Sequence, residues 1–317
     1  MRIIGWNPLS LTSAYRQIEV SNVLSKYGII MMAGTQQRRD DCPVSTYRIG
    51  AYTAYSAGWR RGKFTNKSAG VTIWTGEGIA DTNVKWIETP PDELAGRGLA
   101  LRIRTQRYDV SPMVLYYPPR TGGRHEESRY KETTMRLTRW ASKVISRVPA
   151  RSTPVIYADI NDELEQTEDG TVGDYPMGFS TADAGKHFRG LLADYDMTTA
   201  NTHVDTGPTY WSTQGTTSRI DFIGIPQESL HRVRDCRVNT VKGRKLQLIN
   251  TSRYADHYPI QVDLWLKYRY EERPKGGRDE RTRWDQDKLM RGVKQYENKE
   301  ELIVNVERRL QEVPWDF

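Results

Sequence analysis

The chain has only two cysteines, Cys42 and Cys236, in 317 residues. That excludes a disulfide framework and a cysteine-based metal knuckle, and it fits a reducing compartment or mere indifference to redox state. No apolar run approaches the roughly 20 residues that cross a bilayer, so no membrane partner is expected. Met1-Arg-Ile-Ile-Gly-Trp6 runs straight into what reads as a core strand, so neither a signal peptide nor an Arg-rich transit peptide is expected here, unless the numbering starts at a processed end. Internal repeats are absent. Histidine is scarce, with five in all.

What is abundant is charge, tyrosine and tryptophan. The chain carries 47 basic and 40 acidic residues, a net charge of +7 and a pI near 9.2. A basic balance suits a polyanionic partner, DNA or RNA, although the excess is mild. The 18 tyrosines and 9 tryptophans are read mainly as core and core-edge residues; stacking on bases is the alternative.

Apolar periodicity yields more strands than helices. Ile3-Ile4, Ile29 to Ala33, Tyr47 to Tyr55, Ala69 to Trp74, Leu99 to Arg104, Met113 to Tyr117, Val155 to Ile160, Thr209 to Trp211, Arg219 to Ile225 and Pro259 to Leu264 read as strands. Helices are expected over 13–27, with Tyr15, Ile18, Val23 and Tyr27 facing inward, over 124–147, and near 184–195. Gly58 to Lys67 reads as a basic, flexible loop. The pattern predicts a layered α/β protein with much antiparallel sheet. From about Lys267 the composition shifts: 25 of the last 51 residues are charged. The spacing there predicts a charged linker and an amphipathic helix over 299–312 that docks on a partner.

Polar residues gather at strand ends. Asp159 and Asn161 close the run Val155-Ile-Tyr-Ala-Asp-Ile-Asn161, and alternation would point both the same way. Such a pair can orient a nucleophile or hold a phosphate and its metal; a capped turn has the same sequence. Asp256-His257 precedes another apolar strand, and a histidine there can serve as acid, base or phosphate ligand, or be merely structural. Asp221 sits inside an apolar strand, where an unpaired carboxylate is costly. An imidazole N–H would satisfy it; Arg219 or a backbone turn would too. Asn7 and Tyr116 end two further strands. Converging on one sheet edge, these residues would make a site.

These motifs, in this order, resemble the endonuclease/exonuclease/phosphatase superfamily, and most nearly the endonuclease domains of non-LTR retrotransposons. The resemblance covers residues 1–266. It rests on Trp6-Asn7, Tyr116-Tyr-Pro118, Ala158-Asp-Ile-Asn161, Ser218-Arg-Ile-Asp-Phe-Ile223 and Ala255-Asp-His-Tyr-Pro259. Thr282-Arg-Trp-Asp-Gln-Asp-Lys-Leu289 is similar to the spacer that follows such domains. The resemblance implies a four-layer α/β sandwich, two packed mixed β-sheets flanked by helices. It implies phosphodiester hydrolysis assisted by Mg²⁺ or Mn²⁺, with Asp159 and Asn161 on the nucleophile and His257 held by Asp221. Tyr116 would contact the scissile phosphate, and Asn7 and Asp256 would hold metal.

One departure qualifies this. The family's second strand ends in a metal-binding Glu, whereas this chain reads Gly28-Ile-Ile-Met-Met-Ala-Gly-Thr35. Ungapped, the Glu falls on Gly34; a shifted alignment places neutral Gln36 or Gln37 there, with Asp40 and Asp41 in the loop beyond. Loss of a charged oxygen ligand weakens Mg²⁺ binding. Two functions are therefore expected to compete. One is a weakened metal-dependent endonuclease acting on DNA or RNA. The other is a domesticated, non-catalytic nucleic-acid-binding or structural subunit of a ribonucleoprotein assembly, engaged through residues 267–317. No polymerase follows in the sequence given, which stops at Phe317, so a stand-alone or repurposed domain is the expectation. A phosphatase of small phosphoesters shares the fold but not the retroelement-like wording.

Overall fold

The computed structural model describes residues 1–121, 124–248 and 256–266. They lie in one unit, Met1–Tyr270; a second unit, Glu271–Phe317, and with it the tail helix expected over 299–312, lies outside the described residues. In chain order the elements are β1 (Arg2–Trp6), α1 (Ala14–Val23), β2 (Ile29–Ala33), β3 (Ser45–Ile49), β4 (Tyr52–Ala57), β5 (Val71–Thr75), β6 (Val84–Glu88) and β7 (Gly98–Arg104). Then come β8 (Asp109–Tyr116), α2 (Arg124–Ile145), β9 (Thr153–Asp159), α3 (Asp183–Asp194), β10 (Met197–Thr199), β11 (Tyr210–Trp211) and β12 (Thr217–Ser218). The last are β13 (Asp221–Pro226), β14 (Val233–Val238), α4 (Thr240–Lys245), β15 (Asp256–His257) and β16 (Ile260–Leu264).

Two large sheets carry the fold. One runs β14-β16-β1-β2-β5-β4-β3 and the other β10-β13-β9-β8-β7-β6, with a small sheet β12-β11-β15 beside them. Both large sheets are mixed: β1 with β2 and β8 with β9 are parallel, and their other pairs are antiparallel. Side-chain alternation divides each central strand between two cores. Ile3, Ile29, Met31 and Ile73 meet Val114, Val155, Tyr157 and Ile223 between the sheets. Ile4, Trp6, Ile30, Met32 and Trp74 face outward under α1 and the end of α4. Met113, Leu115, Ile156 and Phe222 face outward under α2 and α3. Helix, sheet, sheet and helix make the four-layer α/β sandwich. The unbroken apolar runs of β2 and β9 follow from burial on both faces.

Some local expectations differ from the structure. Helix α1 is shorter than 13–27, and its inner side is Val20 and Leu24; Tyr15 and Ile18 are 86% and 52% exposed. At 3.6 residues per turn Ile18 lies about 160° around the helix from Val20, so the two cannot share a face. The single strand read over 47–55 is a hairpin of β3 and β4, because Gly50 (φ 54°) turns the chain between them. The strand expected from Arg219 begins at Asp221. The polar strands β6 and β14 and the short α4 escaped the periodicity reading, since edge and surface elements carry little apolar signal.

Gly5 matters to the site. A Cβ there would sit 2.4 Å from Cδ2 of Tyr157, so β1 can pass over that ring only as glycine. Gly5→Ala is expected to cost about 1–3 kcal/mol of stability, read as a lower urea midpoint at unchanged m-value. An unchanged midpoint would show that the ring is not locked against the strand.

Candidate functional site

Strand register builds one wall of the site. β8, β9 and β13 are neighbours, and their pairing sets Tyr116 beside Asp159 and Asp159 beside Asp221. All three lie in one row across the six-stranded sheet and are buried. The facing wall comes from the other large sheet and from the small sheet. Asn7 follows the end of β1, and His257 ends β15, where it pairs with Tyr210 of β11 at a ring separation of 5.0 Å. The Trp6 indole N–H donates to the His257 carbonyl at 3.0 Å, tying these two segments together.

The side chains interlock. Asn7 Nδ2 donates to Asp159 Oδ2 at 2.8 Å and lies 3.4 Å from His257 Nε2. His257 Nδ1 meets Asp221 Oδ2 at 2.8 Å, so the imidazole, not Arg219, satisfies Asp221. Arg219 donates instead to the carbonyls of Gly207 and Tyr175. The Tyr157 hydroxyl donates to the other Asp221 oxygen at 2.7 Å. With Nδ1–H committed to Asp221, the ring orientation is fixed and Nε2 faces Asn7 and Asp159. Asn161 behaves differently from the alternation argument. The strand ends at Asp159, and Asn161 adopts φ 51°. Its side-chain nitrogen donates to the Tyr117 carbonyl at 2.9 Å, while its backbone N–H donates to Asp159 Oδ1 at 3.2 Å. It thereby braces the carboxylate through its main chain. Asp256 is half-buried at φ 64° beside His257.

Electrostatics separate the pair. Burial, reinforced by the Asp221 charge, pushes the Asp159 carboxyl well above the usual carboxylate range, against the pull of His257 and Asn7. Burial pulls the His257 imidazole down, but the Asp221 and Asp159 carboxylates outweigh it and raise it to about 9. Tyr116 is raised, first by burial and then by Asp159.

Among the described residues, Asp159, Asp221 and His257 form the one group of acids and imidazoles disposed to hold a metal ion, with ligand atoms within 4.8 Å of one another. Every carboxylate oxygen of that group already accepts a hydrogen bond. The oxygen donors expected on the other side are few. Asn7 Oδ1 accepts the Leu9 N–H at 2.9 Å. Gly34 offers no side chain, and a Cβ there would fall 2.3 Å from that same Asn7 oxygen on a backbone at φ 65°. Gln37 donates to the Tyr47 hydroxyl, and Gln36, Asp40 and Asp41 are exposed. Asp256, half-buried beside His257, adds one carboxylate, so the set offers fewer charged oxygens than a tightly held hard cation usually takes.

Several contributors went unread in the sequence. Arg97 is 2% exposed, donates to the carbonyls of Phe64 and Tyr116, and stands 5.1 Å over the Tyr116 ring. No described carboxylate pairs with it, and burial lowers it to about 10. It lines a cavity of about 150 Å³ with Arg129, Asn66 and Thr133. Asn201 braces β13, donating to the Asp221 carbonyl and accepting from Ile223 N–H. Asp162 gathers the N–H groups of Thr181, Ala182 and Gly185, fixing the loop that leads into α3. The only sequence signal for these was polarity next to apolar strands.

No protein-family model matches the chain, and no curated protein does. Solved structures do. A 3′-5′ exonuclease (NExo) from Neisseria meningitidis superposes with a TM-score of 0.56 at 17% identity, covering 83% of this chain and 99% of that one. The catalytic domain of APE2 from Xenopus laevis gives 0.59 at 14% identity, covering 83% and 91%. The endonuclease domain of TRAS1, a telomere-specific non-LTR retrotransposon, gives 0.51 at 14% identity, covering 84% and 99%. At these identities the likeness is one of fold.

A raised imidazole contributes stability that is full below its ordinary value near 6.5 and is lost as pH rises through about 9. Asp221→Asn should lower the His257 value by about one unit or more, read from its ring resonances by NMR titration. An unmoved titration would mean that Asp221 does not hold the imidazole.

Proposed function

We propose that this chain, which has the endonuclease/exonuclease/phosphatase fold, is a nucleic-acid phosphodiesterase of endonuclease type, weakened on its metal side. The observation that carries this reading is the row Tyr116–Asp159–Asp221 closed by Asn7 and His257. Asp159, with its raised carboxyl, takes the proton of an attacking water. Asn7 and the Asn161 backbone hold that carboxylate in place. His257, fixed through Nδ1 by Asp221, turns a protonated Nε2 toward the phosphoryl oxygens, and the Tyr116 hydroxyl binds a further oxygen. A divalent ion, Mg²⁺ or Mn²⁺, would neutralise phosphoryl charge when bound; Asn7 and Asp256 are the groups left to hold it. Arg97 and the basic 58–67 loop supply cations for the flanking backbone; the Arg60–Asp92 and Lys63–Glu132 pairs there lie at the solvent-facing surface, where screening lets them yield readily to phosphate. The TRAS1 likeness supports retrotransposon ancestry.

A second reading is favoured by one observation, Gly34 against Asn7. The chain would then be a domesticated nucleic-acid-binding or structural subunit of a ribonucleoprotein assembly, with residues 267–317 as the docking arm beyond a 1–266 catalytic-fold domain.

Nicking of supercoiled DNA and cleavage of labelled RNA, across Mg²⁺ and Mn²⁺ concentrations, separate the two. Slow cleavage is expected, reduced about 10²-fold or more by Asp159→Asn and by His257→Ala. Salt-sensitive binding without any cleavage, by protein with an intact melting transition, would replace the first reading with the second. Absence of both would defeat both.

A further inference from the structure

A second polar cavity lies away from the site just described. It is about 220 Å³, on the outer face of the seven-stranded sheet where β14, β16 and β1 adjoin. Arg2 lines it at the start of β1, whereas Asn7 follows the other end of that strand, about 17 Å along. The floor is a buried hydrogen-bond network. The Tyr27 hydroxyl donates to Gln261 Oε1 at 2.6 Å, Asn239 Nδ2 lies 3.3 Å from both of those atoms, and Gln261 Nε2 donates to Asp235 Oδ2 at 2.9 Å. Tyr27 and Gln261 are 4% and 5% exposed, so the floor is fixed rather than adaptable.

The rim carries more positive charge than its acids neutralise. Asp235 is held by Arg237 at 3.3 Å, and Asp263 by the N-terminal ammonium at 3.5 Å and Arg2 at 3.9 Å. Lys26 and Lys242 have no carboxylate partner among the described residues. Lys242 is anchored all the same: its Nζ donates to the Val23 carbonyl at 3.0 Å and stands 4.3 Å over the Tyr27 ring. It is held below its ordinary value, first by burial and then by Lys26, Arg2, Lys245 and Arg237. Cations crowded around a concave surface repel one another, and an anion seated among them relieves that repulsion. A tetrahedral oxyanion, all acceptor, suits the diverging ammonium and guanidinium donors.

We propose that this cavity is a phosphate-binding site separate from the Asp159–His257 centre. The phosphate comes from a nucleic-acid backbone or from a free phosphate compound. The backbone source rests on the function proposed above; the phosphate chemistry does not.

The full chain is titrated with inorganic phosphate, and with chloride at matched ionic strength, while the amide resonances of Lys242 and the Asn239 side chain are followed. Phosphate is expected to shift them saturably and chloride not to. The Lys26→Gln/Lys242→Gln variant is expected to lose the response, and Lys242→Arg alone to keep it. Circular dichroism and melting of each variant confirm the fold. Long-duplex DNA binding is then measured against salt. If the double variant makes the salt slope shallower by about 1–2, the site takes backbone phosphate. If phosphate binds but the slope is unchanged, it takes a free phosphate compound. Phosphate that does no more than chloride, or a folded double variant that responds like the parent, overturns the site. A chain that binds no DNA leaves the phosphate titration to decide alone, so this proposal and the nucleic-acid reading fail separately.

Discussion

The Asn7–Asp159 hydrogen bond is the contact on which the rest of the site depends. It joins the end of the first strand of one sheet to the end of a central strand of the other, 152 residues apart in sequence and 2.8 Å apart in space. Both groups are buried, and a buried carboxylate without such a donor is costly. The two sheets must therefore pack in the one register that lets Asn7 reach Asp159. Gly5, two residues earlier, is small because the Tyr157 ring crosses there, and Tyr157 in turn holds Asp221. Packing between the sheets and placement of the reactive groups are thus one problem with one solution.

The same closeness limits the site. Asn7 presents its nitrogen to the carboxylate and its oxygen to the Leu9 N–H, and the backbone at Gly34 comes within van der Waals range of that amide. A side chain at position 34 would have to displace Asn7, and the positive φ there already disfavours one. The half of the pocket around Asp159, Asp221 and His257 is densely braced. The half that would carry a resident cation is thin in charged oxygen. Under the function proposed, activity depends on how much of the transition-state charge His257, Asn7 and Tyr116 can take themselves.

Much of this was legible in the sequence because it is periodic or local. The unbroken apolar runs at Ile29–Ala33 and Val155–Ala158 mark strands buried on both faces, and the ordered motifs around Asn7, Tyr116, Asp159, Asp221 and His257 mark strand ends that converge. The choice between His257 and Arg219 as the partner of Asp221 was not legible, because it depends on a contact 36 residues away. Asn161 departs from strand alternation because the strand stops at Asp159 and a left-handed residue reorients the chain. Arg97, Asn201 and Asp162 act through backbone carbonyls and amides, which leave no side-chain pattern to read. Tyr15 and Ile18 mark the reverse error: apolar residues sit on the exposed side of a short helix, where burial and composition part company.

The function proposed needs the proton-handling half of the pocket intact and leaves its metal half depleted. Anomalous diffraction from crystals equilibrated with Mn²⁺ distinguishes the two halves. An intact Asn7–Asp159 and His257–Asp221 arrangement is expected, with no ordered ion coordinated beside Gly34 at Mn²⁺ concentrations well below millimolar. A fully occupied Mn²⁺ bound there by Asn7 Oδ1 and carboxylate oxygens at low concentration would contradict it.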